Sequence, residues 1–258
     1  MSRLRAICPD CRAHTAVALE GGYECHSCGR SFGGGLVRVP RAWGVGGDAM
    51  AEAARLPLPY PEAATVDEPT LAGQSLALAR ELPERPIVLG GCCCAHIGAV
   101  EGLAARHGRI AVLWFDAHGD LNTIESSPSG NEWATPLRRL IDSGAVGAED
   151  VALVGARNLD PPEEEFIERH AVGVGGEAVA GAVDGTDGAY VALDFDVLDP
   201  AEAASFMPEP DGLSVAEVEA VLQDAGDRRA ILGAGFTAFL PDERNLPVLA
   251  RLSAAVGF

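Results

Sequence analysis

Length, composition and charge exclude several classes of protein before any motif is considered. The chain has 258 residues, of which 48% are apolar and 22% charged, and its formal net charge is −19. This length suits one α/β domain with a small appendage, the composition predicts a packed core, and the negative charge disfavours nucleic acid and anionic membranes as partners. Because the sequence contains no signal-peptide run and no apolar stretch of roughly 20 residues, we expect a cytoplasmic protein.

Two cysteine pairs lie near the start of the chain. Cys8 and Cys11 form one C-x2-C pair, and Cys25 and Cys28 form the second. Two such pairs supply four thiolates to a tetrahedral metal site, and a site with four sulfur ligands has no open position for a substrate. A segment of roughly 35 residues buries too little apolar surface to fold alone, so the metal would supply its folding energy. The sequence therefore predicts a zinc ribbon over residues 1–35 with one structural zinc ion.

The rest of the chain is predicted to form a connecting segment, residues 36–66, and an α/β domain, residues 67–258. In this domain, short apolar runs alternate with amphipathic stretches, which is the pattern of a parallel sheet covered on both faces. The predicted strands are 86–90, 110–115, 151–155, 189–194 and 230–234, and the clearest helices are 68–81, 135–142 and 214–222. The Gly-x-Gly pattern at 173–176 is interpreted as an ordinary turn.

Acidic residues and a histidine follow two of the predicted strands. Asp116, His118 and Asp120 follow the second strand, and Asp194 and Asp196 lie at the end of the fourth. Alternate residues of an extended segment point to the same side, and parallel strands end at one edge of the sheet, so these side chains are expected to converge. Four confined carboxylates repel one another unless cations neutralise them. The sequence therefore predicts a site for divalent metal ions.

The same two clusters carry a resemblance to a known family. The sequences D-A-H-G-D at 116–120 and D-F-D-V-L-D-P at 194–200 resemble the metal signatures of arginases, agmatinases and formiminoglutamases, the ureohydrolases. Four further segments resemble motifs of that family: 90–98 its G-G-D-H-S-x-x-x-G, 130–133 its G-N-x-H, 155–161 its G-x-R-x-x-D-P, and 208–214 its P-x-P-G-G-L-S. Together the motifs cover the chain from about residue 85 to the C-terminus.

The resemblance implies a fold, a cofactor and a reaction. The fold would be a three-layer α/β/α sandwich around a mainly parallel eight-stranded sheet, and two manganese ions bridged by hydroxide would hydrolyse a linear C–N bond of a small-molecule substrate. By the resemblance, Asp116 and Asp194 would bridge both ions, His118 and Asp196 would bind one, and Asp120 would bind the other and steer the hydroxide. Asp120 and His118 are thus the candidate catalytic residues, and the family's trimers and hexamers suggest a homo-oligomer.

Three positions depart from the family's motifs. Cys93 stands where the family has a histidine ligand, Trp133 where it has an active-site histidine, and Thr237 where it has a glutamate. A guanidinium substrate needs a carboxylate to orient it, and its leaving amine needs a proton donor. Both groups are missing here unless a residue of the segment 242–245 replaces the glutamate. The expected substrate-binding residues are Asn131, Trp133, Asp160 and Thr237.

Cys93 bears on the choice of metal. A thiolate is a soft ligand, which favours zinc, iron or cobalt over manganese. Two alternatives remain open: Cys93 is an inert buried thiol and His96 is the ligand, or the first metal position is empty. The triplet Cys92-Cys93-Cys94 also permits a redox or nucleophilic role. The sequence therefore predicts one or two divalent transition metals in the main site, either manganese or one of the softer ions.

Two functions compete at this point. The first is a metal-dependent hydrolase that acts on a guanidino, amidine, ureide or amide group, and the five retained metal-type residues favour it. The alternative is a catalytically inactive relative that uses its pocket or its ribbon for binding, and the loss of the histidine and the glutamate favours that one. If the protein is an enzyme, free arginine and agmatine are expected to be poor substrates.

Overall fold

The computed structural model describes residues 5–8, 10–19, 22–32 and 35–257. Its N-terminal part is a small antiparallel sheet with the strand order β1-β2-β3-β4. These strands are β1 (Arg5–Ala6), β2 (Ala16–Leu19), β3 (Gly22–Cys25) and β4 (Ser31–Phe32). The predicted end of the ribbon at residues 33 and 34 lies outside the described residues.

A second, larger sheet organises the remainder of the chain. Its strands are β5 (Leu36–Val39), β6 (Glu62–Thr65), β7 (Ile87–Gly90), β8 (Ile110–Phe115), β9 (Val151–Val154), β10 (Gly173–Val174), β11 (Gly188–Asp194) and β12 (Ile231–Thr237). They lie in the order β10-β9-β8-β11-β12-β7-β5-β6, and every neighbouring pair is parallel. The predicted eight-stranded parallel sheet is confirmed. The residues interpreted as a turn at 173–176 include the short edge strand β10.

Helices cover both faces of this sheet. They are α1 (Asp48–Ala53), α2 (Leu71–Glu81), α3 (Ala95–His107), α4 (Pro136–Asp142), α5 (Pro161–His170), α6 (Val179–Val183), α7 (Val215–Arg228) and α8 (Asn245–Ala255). Buried side chains of α2 to α5 pack in one core, and those of α6 to α8 pack in another on the opposite face. The capping box predicted at Ser214 and Glu217 opens α7. The result is the expected three-layer sandwich.

Residues 36–66 differ from the expected surface connection, because β5 and β6 belong to the main sheet. Leu36 pairs with Ile87 of β7, and all four residues of β5 are buried. Arg38 interrupts the apolar pattern of this strand, yet it is buried because its guanidinium pairs with Glu62 of β6 at 2.8 Å and donates to the carbonyl oxygens of Ala54 and Leu56. Because a charged residue interrupts the apolar run, the sequence pattern did not indicate that residues 36–39 form a buried strand.

No helix in the described part of the chain is long and apolar enough to cross a membrane.

Candidate metal centre and substrate cavity

The predicted site residues meet at the carboxyl edge of the central strands. Asp116 directly follows β8, Asp194 ends β11, and Cys93 lies in the turn between β7 and α3. Open parallel sheets bind ligands at this edge. A cavity of about 470 Å³ opens above these side chains, and this volume lies within the roughly 300–1,000 Å³ of small-molecule sites.

One group of ligand atoms comes from Asp116, His118 and Asp196. His118 Nδ1 lies 2.9 Å from Asp196 Oδ2 and 3.4 Å from Asp116 Oδ1. Backbone amides fix the two carboxylates: the amide of His118 donates to Asp116 Oδ1 at 2.7 Å, and the amide of Ala117 donates to Asp196 Oδ1 at 3.0 Å. The loop after β8 therefore orients both its own ligands and those of β11.

A second group comes from Cys93, Asp116 and Asp120, so Asp116 is common to both groups. Cys93 Sγ lies 3.7 Å from Asp116 Oδ2 and 2.9 Å from Asp194 Oδ2. Asp194 belongs to neither group: its Oδ1 accepts the amide of Asp196, and its Oδ2 is in contact with Cys93. The bridging role expected of Asp194 stays a prediction, although its carboxylate lies directly against the second group.

Burial and the crowding of carboxyl groups shift the pKa values of the cavity floor. Burial, with the Asp196 carboxylate nearby, raises the pKa of Asp116 to about 7. Burial and neighbouring carboxylates also raise the pKa of Asp120 and of Asp194 well above the usual range. Burial alone would lower the pKa of His118, but Asp116 and Asp196 raise it to about 12. Without cations the floor therefore retains protons, which divalent ions would displace.

Two buried atoms of the floor lack a hydrogen-bond partner among the described residues: Asp120 Oδ2 and His118 Nε2. An unsatisfied buried polar atom costs roughly 1–3 kcal/mol, and a cation beside the Asp120 oxygen would remove that cost. Each group offers three donor atoms within 4.8 Å of one another. Carboxylate, imidazole and thiolate donors in this arrangement fit two divalent metal positions, and the sulfur of Cys93 favours zinc, iron or cobalt in one of them.

Thr237 and His96 lie beneath the floor rather than in the cavity. Thr237 is fully buried, and its Oγ1 lies 3.3 Å from Cys93 Sγ and 3.2 Å from His96 Nε2. His96 Nδ1 lies 3.0 Å from the Tyr190 hydroxyl, and burial lowers the pKa of His96 to about 3, so the ring is neutral. Both nitrogens of His96 are thus engaged away from the ligand groups. We name the chain Tyr190–His96–Thr237–Cys93 the buried relay.

The segment 242–245 does not supply the missing carboxylate. Asp242 pairs with Arg244, Glu243 is exposed, and the fully buried Asn245 bonds the backbone of Ala204 and Leu240. None of the three candidate replacements lines the cavity.

Trp133 forms part of one cavity wall, together with Phe206. The two rings meet edge to face with centroids 5.6 Å apart. The benzo ring of Trp133 packs so closely on Gly44 that a Cβ at that position would overlap it. Asn131 Oδ1 accepts the amide of Val45 at 3.1 Å, which ties the glycine-containing loop to the Trp133 turn. Asn131 and Trp133 both line the cavity, and their role in substrate binding stays a prediction.

Asp160 also lines the cavity, but its carboxylate has structural partners. It caps α5 in a capping box with Glu163, and its Oδ2 accepts Asn122 Nδ2 at 2.9 Å. Glu163, which the sequence interpretation missed, accepts the amides of Asp160 and Leu121 and lines the same cavity. The spacing D-P-P-E is the capping-box pattern and could have identified Glu163.

Arg157 holds the loops that carry the acidic ligands. Its guanidinium donates to the carbonyl oxygens of Asp196 at 2.7 Å and of Pro210 at 2.8 Å. Glu209, also missed in the sequence, lies on the second of these loops, where its Oε1 is 3.6 Å from His118 Nε2. Asp211 of this loop has φ +59°, a conformation that aspartate adopts more readily than most residues. Asp211 occupies the first glycine position of the P-x-P-G-G-L-S motif that this segment resembles, and its positive φ is one that glycine adopts without strain.

The Arginase family model matches residues 53–246. The chain belongs to the arginase family. It is 33% identical to an arginase of Bacillus caldovelox over 189 residues, which are 62% of this chain and 63% of that relative. In this sequence alignment the chain thus spans less than two thirds of the relative's length.

Solved arginase-family structures share the fold. A native arginase structure from Bacillus caldovelox superposes with a TM-score of 0.74 at 26% identity, and the match covers 86% of this chain and 97% of that one. A proclavaminate amidino hydrolase from Streptomyces clavuligerus superposes with a TM-score of 0.68 at 22% identity over 87% of this chain and 91% of that one. All residues of both ligand groups lie within the part of the chain that matches the arginase family model.

The four N-terminal cysteines lie outside the range matched to the arginase family. Their sulfur atoms lie within 4.8 Å of one another, with 3.8 Å between Cys8 and Cys28 and 3.5 Å between Cys11 and Cys25. Ligands of a tetrahedral zinc ion are roughly 3.8 Å apart, because Zn–S bonds are about 2.3 Å long. The cysteine cluster therefore has the dimensions of a zinc site.

Proposed function

We propose that the protein is a metal-dependent hydrolase of a linear C–N bond. The observation that carries this proposal is the pair of ligand groups that share Asp116 at the floor of the cavity. When bound, two divalent ions would lower the pKa of a water molecule to near neutrality and polarise the carbon under attack. The residues proposed to hold them are Cys93, Asp116, His118, Asp120, Asp194 and Asp196.

The protein's own groups have distinct tasks in this proposal. Asp120, whose Oδ2 has no hydrogen-bond partner among the residues that the structure describes, is placed to accept a hydrogen bond from the attacking water and to orient it. His118 belongs to the other ligand group, where Asp196 holds its Nδ1 and Glu209 lies near its Nε2. Asp116, Asp120, Asp194 and Asp196 are themselves buried at the floor, where electrostatic contacts are stronger than in bulk water.

We further propose that the substrate is less cationic than a guanidine. Thr237 is buried below Cys93, so no carboxylate occupies the position from which the resemblance would have a glutamate orient a guanidinium. Losing a charge-assisted contact of this kind costs on the order of 2–4 kcal/mol, which lowers the rate by roughly thirty to several hundred times. Trp133 donates one hydrogen bond and cannot deliver a proton at neutral pH. Neutral amides and ureides, or amidines whose N-substituents lower their basicity and improve the leaving group, are therefore favoured.

An assay of substrates against metals tests the proposal. The full chain is loaded separately with manganese, zinc and cobalt, and urea release is measured from arginine, agmatine and guanidinobutyrate. Amine or ammonia release is measured from amidines, ureides and amides, with Asp120→Asn as the control for the metal site. We expect turnover in the second set to exceed that on arginine at least tenfold. Turnover near the typical ~10 per second on arginine or agmatine would overturn the substrate proposal.

The second candidate function is a catalytically inactive arginase-family protein that binds a ligand in the same cavity. Trp133 at the histidine position and the buried Thr237 favour it, because both remove groups used for proton transfer or orientation. Absence of turnover on every substrate, with metal retained and a ligand bound, is the result that would establish it.

We also propose that the cysteine cluster is a structural zinc site. It would stabilise the ribbon, which contacts the main domain. In the described part of the chain, the Ile7 amide donates to the carbonyl oxygen of Pro59 at 2.7 Å, and the Glu62 amide donates to the Tyr23 hydroxyl at 3.0 Å. A site closed by four thiolates has no position for substrate, so its role would be to stabilise the fold.

A further inference from the structure

One side of the cavity is apolar and continuous. Met50, Trp133 and Phe206 surround the loop 44–47: a Cβ at Gly47 would lie 3.3 Å from the end of Met50 and 3.2 Å from the Trp133 ring, and one at Gly46 would lie 3.8 Å from Phe206. All three large side chains line the cavity. The glycines of this loop leave the room that the indole occupies. The wall is therefore built by both partners, the loop and the aromatic pair.

Two further apolar side chains extend this wall to the mouth of the cavity. Val45 is 86% exposed and Met207 is 44% exposed, and both line the cavity. Large apolar side chains left open to water beside a concave site are typical of ligand-binding walls, since their burial by a ligand is favourable. We name Val45, Met50, Trp133, Phe206 and Met207 the apolar wall.

The other side chains of the cavity limit the charge that a substrate can carry. Among the residues that the structure describes, no lysine or arginine lines the cavity; the floor carries four aspartates, and Asp160 and Glu163 add two further carboxylates. The other polar side chains of the lining include the neutral Ser129, Asn131 and Asn158. Outside the metal-binding floor, an anionic group on the substrate would meet the carboxylates of Asp160 and Glu163 rather than a lysine or arginine, whereas an apolar group would find a complementary surface.

We propose that the substrate carries a planar apolar group, such as an aryl ring, next to its scissile C–N bond, and that the apolar wall receives this group. The substrate class is thus an aryl or comparably apolar amide, ureide or amidine without a carboxylate. This inference rests on the proposed hydrolase function, because the metal-bound floor fixes the other end of the substrate.

Two hydroxamates that differ only in their apolar group test the proposal. The hydroxamate group binds divalent metals, so acetohydroxamate reports access to the floor and benzohydroxamate adds contact with the apolar wall. Calorimetric titration of the zinc- or cobalt-loaded full chain should give at least tenfold tighter binding of benzohydroxamate, a difference of about 1.4 kcal/mol. In Trp133→Ala this preference should fall to about twofold or less, while the affinity for acetohydroxamate stays within about twofold of the unchanged protein.

Three further variants test whether the apolar wall causes the preference for benzohydroxamate. Trp133→Phe keeps an aromatic surface and should retain most of the preference for benzohydroxamate. Met207→Ala changes a partly exposed position and should lower this preference by roughly threefold, so it tests the apolar wall even if Trp133→Ala does not fold. Leu76→Ala removes an exposed apolar side chain away from the cavity and should change nothing. Equal affinities of the two hydroxamates for the unchanged protein would overturn the inference. If the metal-loaded protein binds neither hydroxamate, the proposed function itself is overturned, because the metals would then not be open to a ligand.

Discussion

Replacing Thr237 by valine tests whether this residue belongs to the buried relay. Valine has nearly the same shape, so the change removes the hydroxyl without leaving a cavity. It takes away the hydrogen-bond partner of His96 Nε2 at 3.2 Å and of Cys93 Sγ at 3.3 Å, both in fully buried surroundings. One unsatisfied buried group costs roughly 1–3 kcal/mol. For a protein of this size each kcal/mol lowers the melting temperature by about 2–4 °C, so we expect a fall of roughly 2–12 °C.

Thermal unfolding by calorimetry measures this effect, and a double-mutant cycle assigns it. Tyr190→Phe removes the hydroxyl at the other end of the relay, which lies 3.0 Å from His96 Nδ1. Because both changes act through His96, their combined cost should differ from the sum of the single costs by at least about 0.5 kcal/mol. Thr65→Val, on an exposed position of β6, is the control and should be nearly neutral. A cost below about 0.5 kcal/mol for Thr237→Val, or strict additivity with Tyr190→Phe, would refute the relay.

Three other predictions concern the metals and pH. Cys28→Ser should lose about one zinc per chain by elemental analysis while the main domain stays folded; retention of the full zinc content would contradict the ribbon. Asp194→Ala should remove more metal from the cavity than Cys93→Ala if Asp194 bridges both ions, and the opposite order would argue against bridging. In protein freed of cavity metal, the pKa of Asp116 is 3.8 in the unfolded chain and about 7 in the folded protein, so between these values the folded protein holds a proton that the unfolded chain has released. The free energy of unfolding should therefore fall as the pH rises from about 4 to 7. His118, with its pKa raised to about 12, should extend that fall above pH 6.5, and a melting temperature that rises with pH would contradict both assignments.

The acidic floor could be predicted from sequence because its residues follow simple rules. Asp116 and Asp194 stand at the ends of fully buried strands, and parallel topology brings such ends to one edge. Asp120 and Asp196 lie at even spacing from them, and this spacing matches the metal signature of the family. The strands, the clusters and the motif all pointed to the same site.

Other features depended on partners that are distant in sequence. The sequence pattern did not predict strand β5, because the charge of Arg38 is buried only with the help of Glu62, which is 24 residues away. The resemblance to the family predicts that Thr237 lies at the position of a substrate-binding glutamate. A threonine side chain is too short to take the place of that glutamate, and Thr237 instead contacts His96 beneath the floor. The packing of Trp133 on Gly44 joins segments that are far apart in the chain. Each of these contacts is set by tertiary packing, which no local pattern records.

The most direct test of the central claim is the metal content of the full chain and of Asp116→Ala after saturation with cobalt and removal of free ions. Asp116 belongs to both ligand groups, whereas the ribbon cysteines are separate from it. We predict one ion in the ribbon plus one or two further ions per chain in the unchanged protein, and only the ribbon ion in Asp116→Ala. If the unchanged protein holds no more than the ribbon ion at saturation, or if Asp116→Ala keeps the additional ions, the cavity floor is not a metal centre.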